Sequence, residues 1–219
     1  MRERDPAPVW SLGEEIAHAV SHGVGVVLAI GGLAGLVAVA AARGDAWHVT
    51  ASAVFGATLV LLYTASTLYH ALPHPRAKRV FRILDHSAIY LAIAGTYTPF
   101  ALGPLRGPWG WALFGVVWTA AVAGIVFKSV ALGRAPGLSV AIYVAMGWCA
   151  VFAFGPLVAS VAPGGLALLF AGGICYTLGL VFYAWQRLRF HHFVWHLFVL
   201  AGSVLHYLAV LLFVIPRPS

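Results

Sequence analysis

His192 and His196 stand four residues apart at the head of an apolar run, Phe193 to Ile215. On a helix that spacing puts the two imidazoles about 40° apart around the axis, one turn above the other. Two rings on one face can grip a single divalent metal. Ionisable groups at the mouth of a membrane-length apolar helix are costly, which argues for a use. Two further polar stretches are suited to meet them, Ser66-Thr67-Leu68-Tyr69-His70 and Asp85-His86-Ser87. His70 would bring a third nitrogen from a second helix. Three protein ligands leave the fourth position of a tetrahedral zinc ion to water, as in catalytic zinc sites.

Each assignment has a plainer rival. His192 and His196 could be interfacial residues that hydrogen-bond their neighbours. Asp85 could bind the metal directly, or hold its water as general base. It could also cap its helix or pair with Arg82. Ser66 shares a face with His70 and could bond an oxyanion or the metal's water, or only the carbonyl one turn back. His18 and His22 repeat the four-residue spacing. His70 and His74 do too, but Pro73 and Pro75 place His74 in a loop. His191 points about 100° from His192, His48 lies at the far end of its span, and His206 sits roughly 15 Å above His196. A buried hydrogen bond is the expected role of His206.

The elements that must position these residues are membrane spans. The 219 residues are 62% hydrophobic and 9% charged, beyond what a soluble domain of this size shows. Mean hydropathy is +0.92. The polar tail 1–12 has no signal-peptide pattern. A single domain, 13–216, holds seven expected helices at about 17–42, 47–72, 84–102, 109–127, 138–160, 166–185 and 192–215. Each is long enough to cross about 30 Å of hydrocarbon. Pro99 is expected to kink or end the third, and Arg76 to Arg79 form a basic loop before it. Cys149 and Cys175 read as small packing residues within apolar stretches. The glycines of span one (Gly23, Gly25, Gly31, Gly32, Gly35) permit close packing on another helix.

The thirteen cations against six acids mark topology and not a nucleic-acid face, because they cluster in short segments between spans. With the N-terminus in the cytoplasm, Arg2, Arg4, Arg76, Lys78, Arg79, Arg82, Lys128, Arg134, Arg187 and Arg189 fall inside. Arg43, Arg106 and Arg217 fall outside. That bias predicts a cytoplasmic N-terminus and an outer C-terminus. It also brings His70, Asp85 and His192 to the cytoplasmic ends of their spans, although the motifs carry no topological information. Agreement in depth is the strongest argument for one site.

These residues resemble the hemolysin III family, the bacterial branch of the progestin and adiponectin receptor superfamily. The resemblance rests on Glu15-Ile-Ala-His18-Ala-Val-Ser-His22-Gly, Ser66-x3-His70, Asp85-His86-Ser87 with Ala94-Gly95-Thr96-Tyr97-Thr98-Pro99, and His192-x3-His196. It covers Glu14 to about Val214. It implies a seven-helix bundle in the plasma membrane with zinc held by His70, His192 and His196, Asp85 reaching the ion through water, and Ser66 close by. The family usually carries Asn where this chain has His18, which leaves a spare imidazole beside the site. Two function classes follow. One is a zinc-dependent hydrolase of a ceramide-like or other lipid amide. The other is a non-enzymatic sensor or regulator of the membrane with structural zinc. A third, cytolysis, rests on the family name and finds no pore-lining pattern.

Overall fold

The computed structural model describes residues 10–131 and 136–216, and every regular element among them is helical. The helices are α1 (Leu12–Arg43), α2 (Ala46–Ala71), α3 (Pro75–Leu102), α4 (Pro108–Ala131), α5 (Pro136–Gly147), α6 (Phe154–Ser160), α7 (Pro163–Ala184) and α8 (His191–Ala209). A tight 3-10 segment, Cys149–Ala153, joins α5 to α6, so the two form one rod; a wider π-type turn, Val210–Val214, ends α8. Arg2, Arg4, Arg134 and Arg217 lie outside the described residues.

Six elements are long and apolar enough to cross a membrane: α1, α2, α4, the α5–α6 rod, α7, and α8 with its terminal turn. Many of their large side chains, among them Val27, Val122, Leu178 and Val181, point outward and stay exposed. An apolar outer surface of that extent suits lipid and not water. Helix α3 is different. It has 28 residues but is the more polar helix, and its run from Ser87 to Leu102 is largely buried in the bundle. Its charged residues, Arg76, Lys78, Arg79, Arg82 and Asp85, fall in the first three turns, ahead of the run that the other helices enclose.

Local chemistry sets the ends. Ser11 and Glu14 form a reciprocal capping box at the start of α1, and Asp45 does the same with His48 for α2. Arg106 donates to Asp45 at 2.8 Å, and its guanidinium, with the His48 amide, holds the Asp45 carboxyl well below the usual carboxylate range. Helix α3 begins at Pro75, so Arg76, Lys78 and Arg79, expected in a loop, ride on its first turns. Pro at the first helical position forfeits no hydrogen bond, which is why the helix can start there. His74 is the residue before it and is exposed. Pro99 does not end α3, which runs on to Leu102.

Close approach is written into particular glycines. A Cβ on Gly95 of α3 would stand 2.0 Å from Thr58 Oγ1 of α2, so the two helices meet only because none is there. On α1, Gly25 lies against Tyr63 of α2 and Gly32 against Tyr207 of α8, whereas Gly31 faces open space. Tyr63 donates to Ser203 at 2.7 Å, and Tyr176 bonds the same hydroxyl at 2.9 Å, stitching α2, α7 and α8. Where the α5–α6 rod breaks, Tyr97 donates to the Gly147 carbonyl and accepts from the Ala150 amide. Backbone groups freed inside an apolar bundle need such partners.

Candidate metal centre

His70 lies one residue before the end of α2, His192 is the second residue of α8, and His196 follows one turn later. Helix α1 packs against both α2 and α8. The ligating nitrogens of His70, His192 and His196 come within 4.8 Å of one another. A tetrahedral ion needs its nitrogens about 3.4 Å apart, so side-chain shifts would have to draw these three closer to share one ion. Before His191, the chain turns at Phe190 with φ 59°, a left-handed conformation that costs a non-glycine residue about 1–2 kcal/mol. Glu14 of α1 accepts the Phe190 amide at 3.4 Å.

Hydrogen bonds fix which nitrogens remain for a metal. Glu15 Oε2 accepts from His70 Nδ1 at 2.7 Å, and Lys78 of α3 donates to the other oxygen. A carboxylate accepts only, so Nδ1 carries the proton and Nε2 keeps its lone pair. That Nε2 is buried with no hydrogen-bond partner among the described residues. Ser21 donates its hydroxyl to the His18 carbonyl at 2.9 Å and lies 3.1 Å from His196 Nδ1. With its proton committed, Ser21 can only accept from that nitrogen, which again leaves Nε2 free. Carboxylate or hydroxyl support behind an imidazole is the usual partner of metal ligation. The residues present therefore fit a divalent metal.

Asp85 and Ser66 line a cavity of about 170 Å³ together with His22, His192 and His196. Among the described residues, Asp85 joins no cluster of three ligand groups with the imidazoles. It lies ten residues into α3 and is not the cap of that helix. His86 Nδ1 approaches its carboxylate at 3.5 Å but donates to the Arg82 carbonyl at 2.8 Å. Ser66 Oγ is buried and makes no bond one turn back.

Three of the other histidines are spoken for. His206 Nδ1 bonds the Gly202 carbonyl at 2.7 Å, the buried bond expected of it. His191 bonds the Phe182 carbonyl at 2.9 Å. His48 caps α2. His18 and His22 are buried with all four ring nitrogens unpartnered among the described residues. Sequence reasoning had no role for Glu15. The signal was available: Glu15, His18 and His22 fall at i, i+3 and i+7, one face of a helix.

A multi-helix membrane bundle with a buried histidine cluster at one end defines the class: an integral membrane protein with a candidate metal site. Within that class the chain belongs to the haemolysin-III-related family, whose model matches residues 10–207. It is 46% identical to the hemolysin-3 homolog of Bacillus subtilis (strain 168), over 96% of this chain and 99% of that protein. It is 47% identical to hemolysin-3 of Bacillus cereus, over 94% of each chain. A more distant likeness, at 27% identity over 94% of this chain and 87% of the relative, is to the human monocyte to macrophage differentiation factor. These likenesses bear out membership of the hemolysin III branch of the progestin and adiponectin receptor superfamily.

Proposed function

We propose that this protein is a zinc-dependent hydrolase of lipid amides, ceramide-like in class, acting at the cytoplasmic side of the plasma membrane. One observation carries the reading: the cavity is continuous from Ser66, Asp85, His192 and His196 to apolar walls that include Ile93, Leu113, Leu169 and Phe170. An acyl chain along those walls would present its amide carbonyl to the polar end.

His70, His192 and His196 are the proposed ligands, and three imidazoles in an apolar shell suit zinc. Bound there, zinc would polarise an acyl carbonyl and bring the pKa of a water down to about 7. The side chains of the protein do the rest. Glu15 and Ser21 hold His70 and His196 in the tautomers that offer Nε2. Asp85 accepts the proton of the attacking water and returns it to the amide nitrogen as the C–N bond breaks, and Ser66 donates to the carbonyl oxygen as charge develops on it. Seven spans over residues 13–216, with the N-terminus inside and the C-terminus outside, complete the proposal.

One observation favours a second reading, a sensor with structural zinc. Glu15, His70 and Lys78 already tie α1, α2 and α3 together at the same end of the bundle. An assay in lipid vesicles separates the two. Release of fatty acid from an N-acyl sphingoid substrate, lost on chelation and restored by zinc, is expected of the hydrolase. Metal-dependent thermal stability without release from any acyl amide would leave the sensor.

A further inference from the structure

His18 is fully buried, and neither ring nitrogen has a hydrogen-bond partner among the described residues. Burial of that kind is costly unless something outside the protein's own hydrogen bonds compensates it. The ring stands over the other three imidazoles. Its centre lies 4.6 Å from that of His70, 4.9 Å from His192 and 5.4 Å from His196. Among those three the separations are 5.3, 5.3 and 4.7 Å. Six distances this similar describe a nearly regular tetrahedron of rings.

The size of that tetrahedron is informative. An imidazole bound through Nε2 to zinc at about 2.0–2.1 Å has its ring centre about 3.2 Å from the ion, so four such rings stand about 5.2 Å apart. The observed separations bracket that value, while among the described residues the His18 nitrogens join no group within 4.8 Å with those of His192 and His196, so the His18 ring has to turn toward them to share the ion. His22 does not meet the same condition. Its ring lies flat on His196 at 3.5 Å and 7°, a stacking contact and not the angle of two ligands sharing an ion.

Resting on the reading that His70, His192 and His196 hold a cation, we propose that His18 is a fourth imidazole donor to it. The fourth position is then contested, and water or a carbonyl oxygen gains the ion only when His18 withdraws. The withdrawn position is the one seen here: a nitrogen of His18 lies within 4.8 Å of the Glu15 carboxylate, one turn back on the same helix, and of a His70 nitrogen. His18 thus acts as an internal competitor that keeps the site closed until a substrate displaces it.

Cobalt(II), which takes tetrahedral nitrogen sites and has visible absorption, tests this on the full-length protein. Azide is the probe for an open position. Wild type loaded with one cobalt is expected to keep its spectrum in millimolar azide, whereas His18→Asn takes up azide with a spectral change and binds cobalt about 10-fold or more weakly. Equal azide responses and equal affinities would overturn the proposal. So would two ions per chain, which would assign His18 and Glu15 to a second site. X-ray absorption of the zinc-loaded wild type needs no variant: four imidazoles are expected, and three with one oxygen would overturn the role of His18. Failure of wild type to bind any divalent metal is a separate result that removes the three-histidine reading itself.

Discussion

Glu15 Oε2 on α1 lies 2.7 Å from His70 Nδ1 on α2, with the His70 side chain wholly buried. The contact does two things at once. It pins an imidazole tautomer, and it joins two helices through a charge that Lys78 of α3 balances. A carboxylate behind a metal-binding imidazole raises the basicity of the nitrogen in front.

Glu15→Gln keeps the shape and an acceptor oxygen but removes the charge. Zinc affinity is expected to fall by roughly 10- to 100-fold, the usual effect of losing such support. His70→Ala, His192→Ala and His196→Ala should each remove most of the bound zinc, while His74→Ala and His48→Ala should not. Competition against a chelator of known affinity measures all of these. Unchanged affinity in Glu15→Gln would show that the contact serves packing alone.

Helix packing makes a prediction independent of any metal. In Gly95→Ala the new methyl would meet Thr58 Oγ1 at 2.0 Å, and the backbones of α2 and α3 would have to part. Overpacking of this kind costs about 1–3 kcal/mol. Thr58→Ala removes the obstructing oxygen, so the double variant should recover part of the loss. Thermal unfolding in detergent reads the coupling, and simple additivity of the two changes would refute the contact.

Spacing makes the candidate residues legible in the sequence. His192 and His196, Ser66 and His70, and Asp85 are read from four-residue intervals and from the end of each span, and the bundle brings them to one end. What escaped depends on neighbours. Glu15 reads as a charge ahead of a span, because its meaning comes from His70, fifty-five residues away. The break at Gly147 is completed by Tyr97 of α3, which no local pattern announces. The basic cluster before span three reads as a loop because charge is taken for solvent. A helix leaving the apolar layer can carry the same charges on its first turns, and α3 does.

Topology is tested by reporters. A phosphatase active only outside the cytoplasm, fused after Ser219, should be active, and one inserted in the linker 72–74 should be silent. Ten cations on one side and three on the other underlie the expectation. An inactive C-terminal fusion that still inserts would mean an even number of spans, with α3 failing to cross.

Asp85 decides between the readings of the site. Its place ten residues inside α3 removes helix capping as an explanation. Pairing with Arg82, one turn back, stays open beside two roles at the metal. If Asp85 accepts the proton of an attacking water, Asp85→Asn keeps the side-chain shape while removing the base. Zinc should then stay bound through the imidazoles, and hydrolysis should fall by about 100-fold or more, as expected for the loss of a general base. If the carboxylate instead ligates the ion, the same substitution should cost metal as well as turnover. Ser66→Ala supplies the comparison: it removes a donor to the developing oxyanion, so turnover should drop with zinc content unchanged. Zinc per chain and rate, measured on both variants in the same vesicles, separate the roles. Full activity in Asp85→Asn would leave the carboxylate no part in the chemistry, and another group on the cavity wall would have to take the proton.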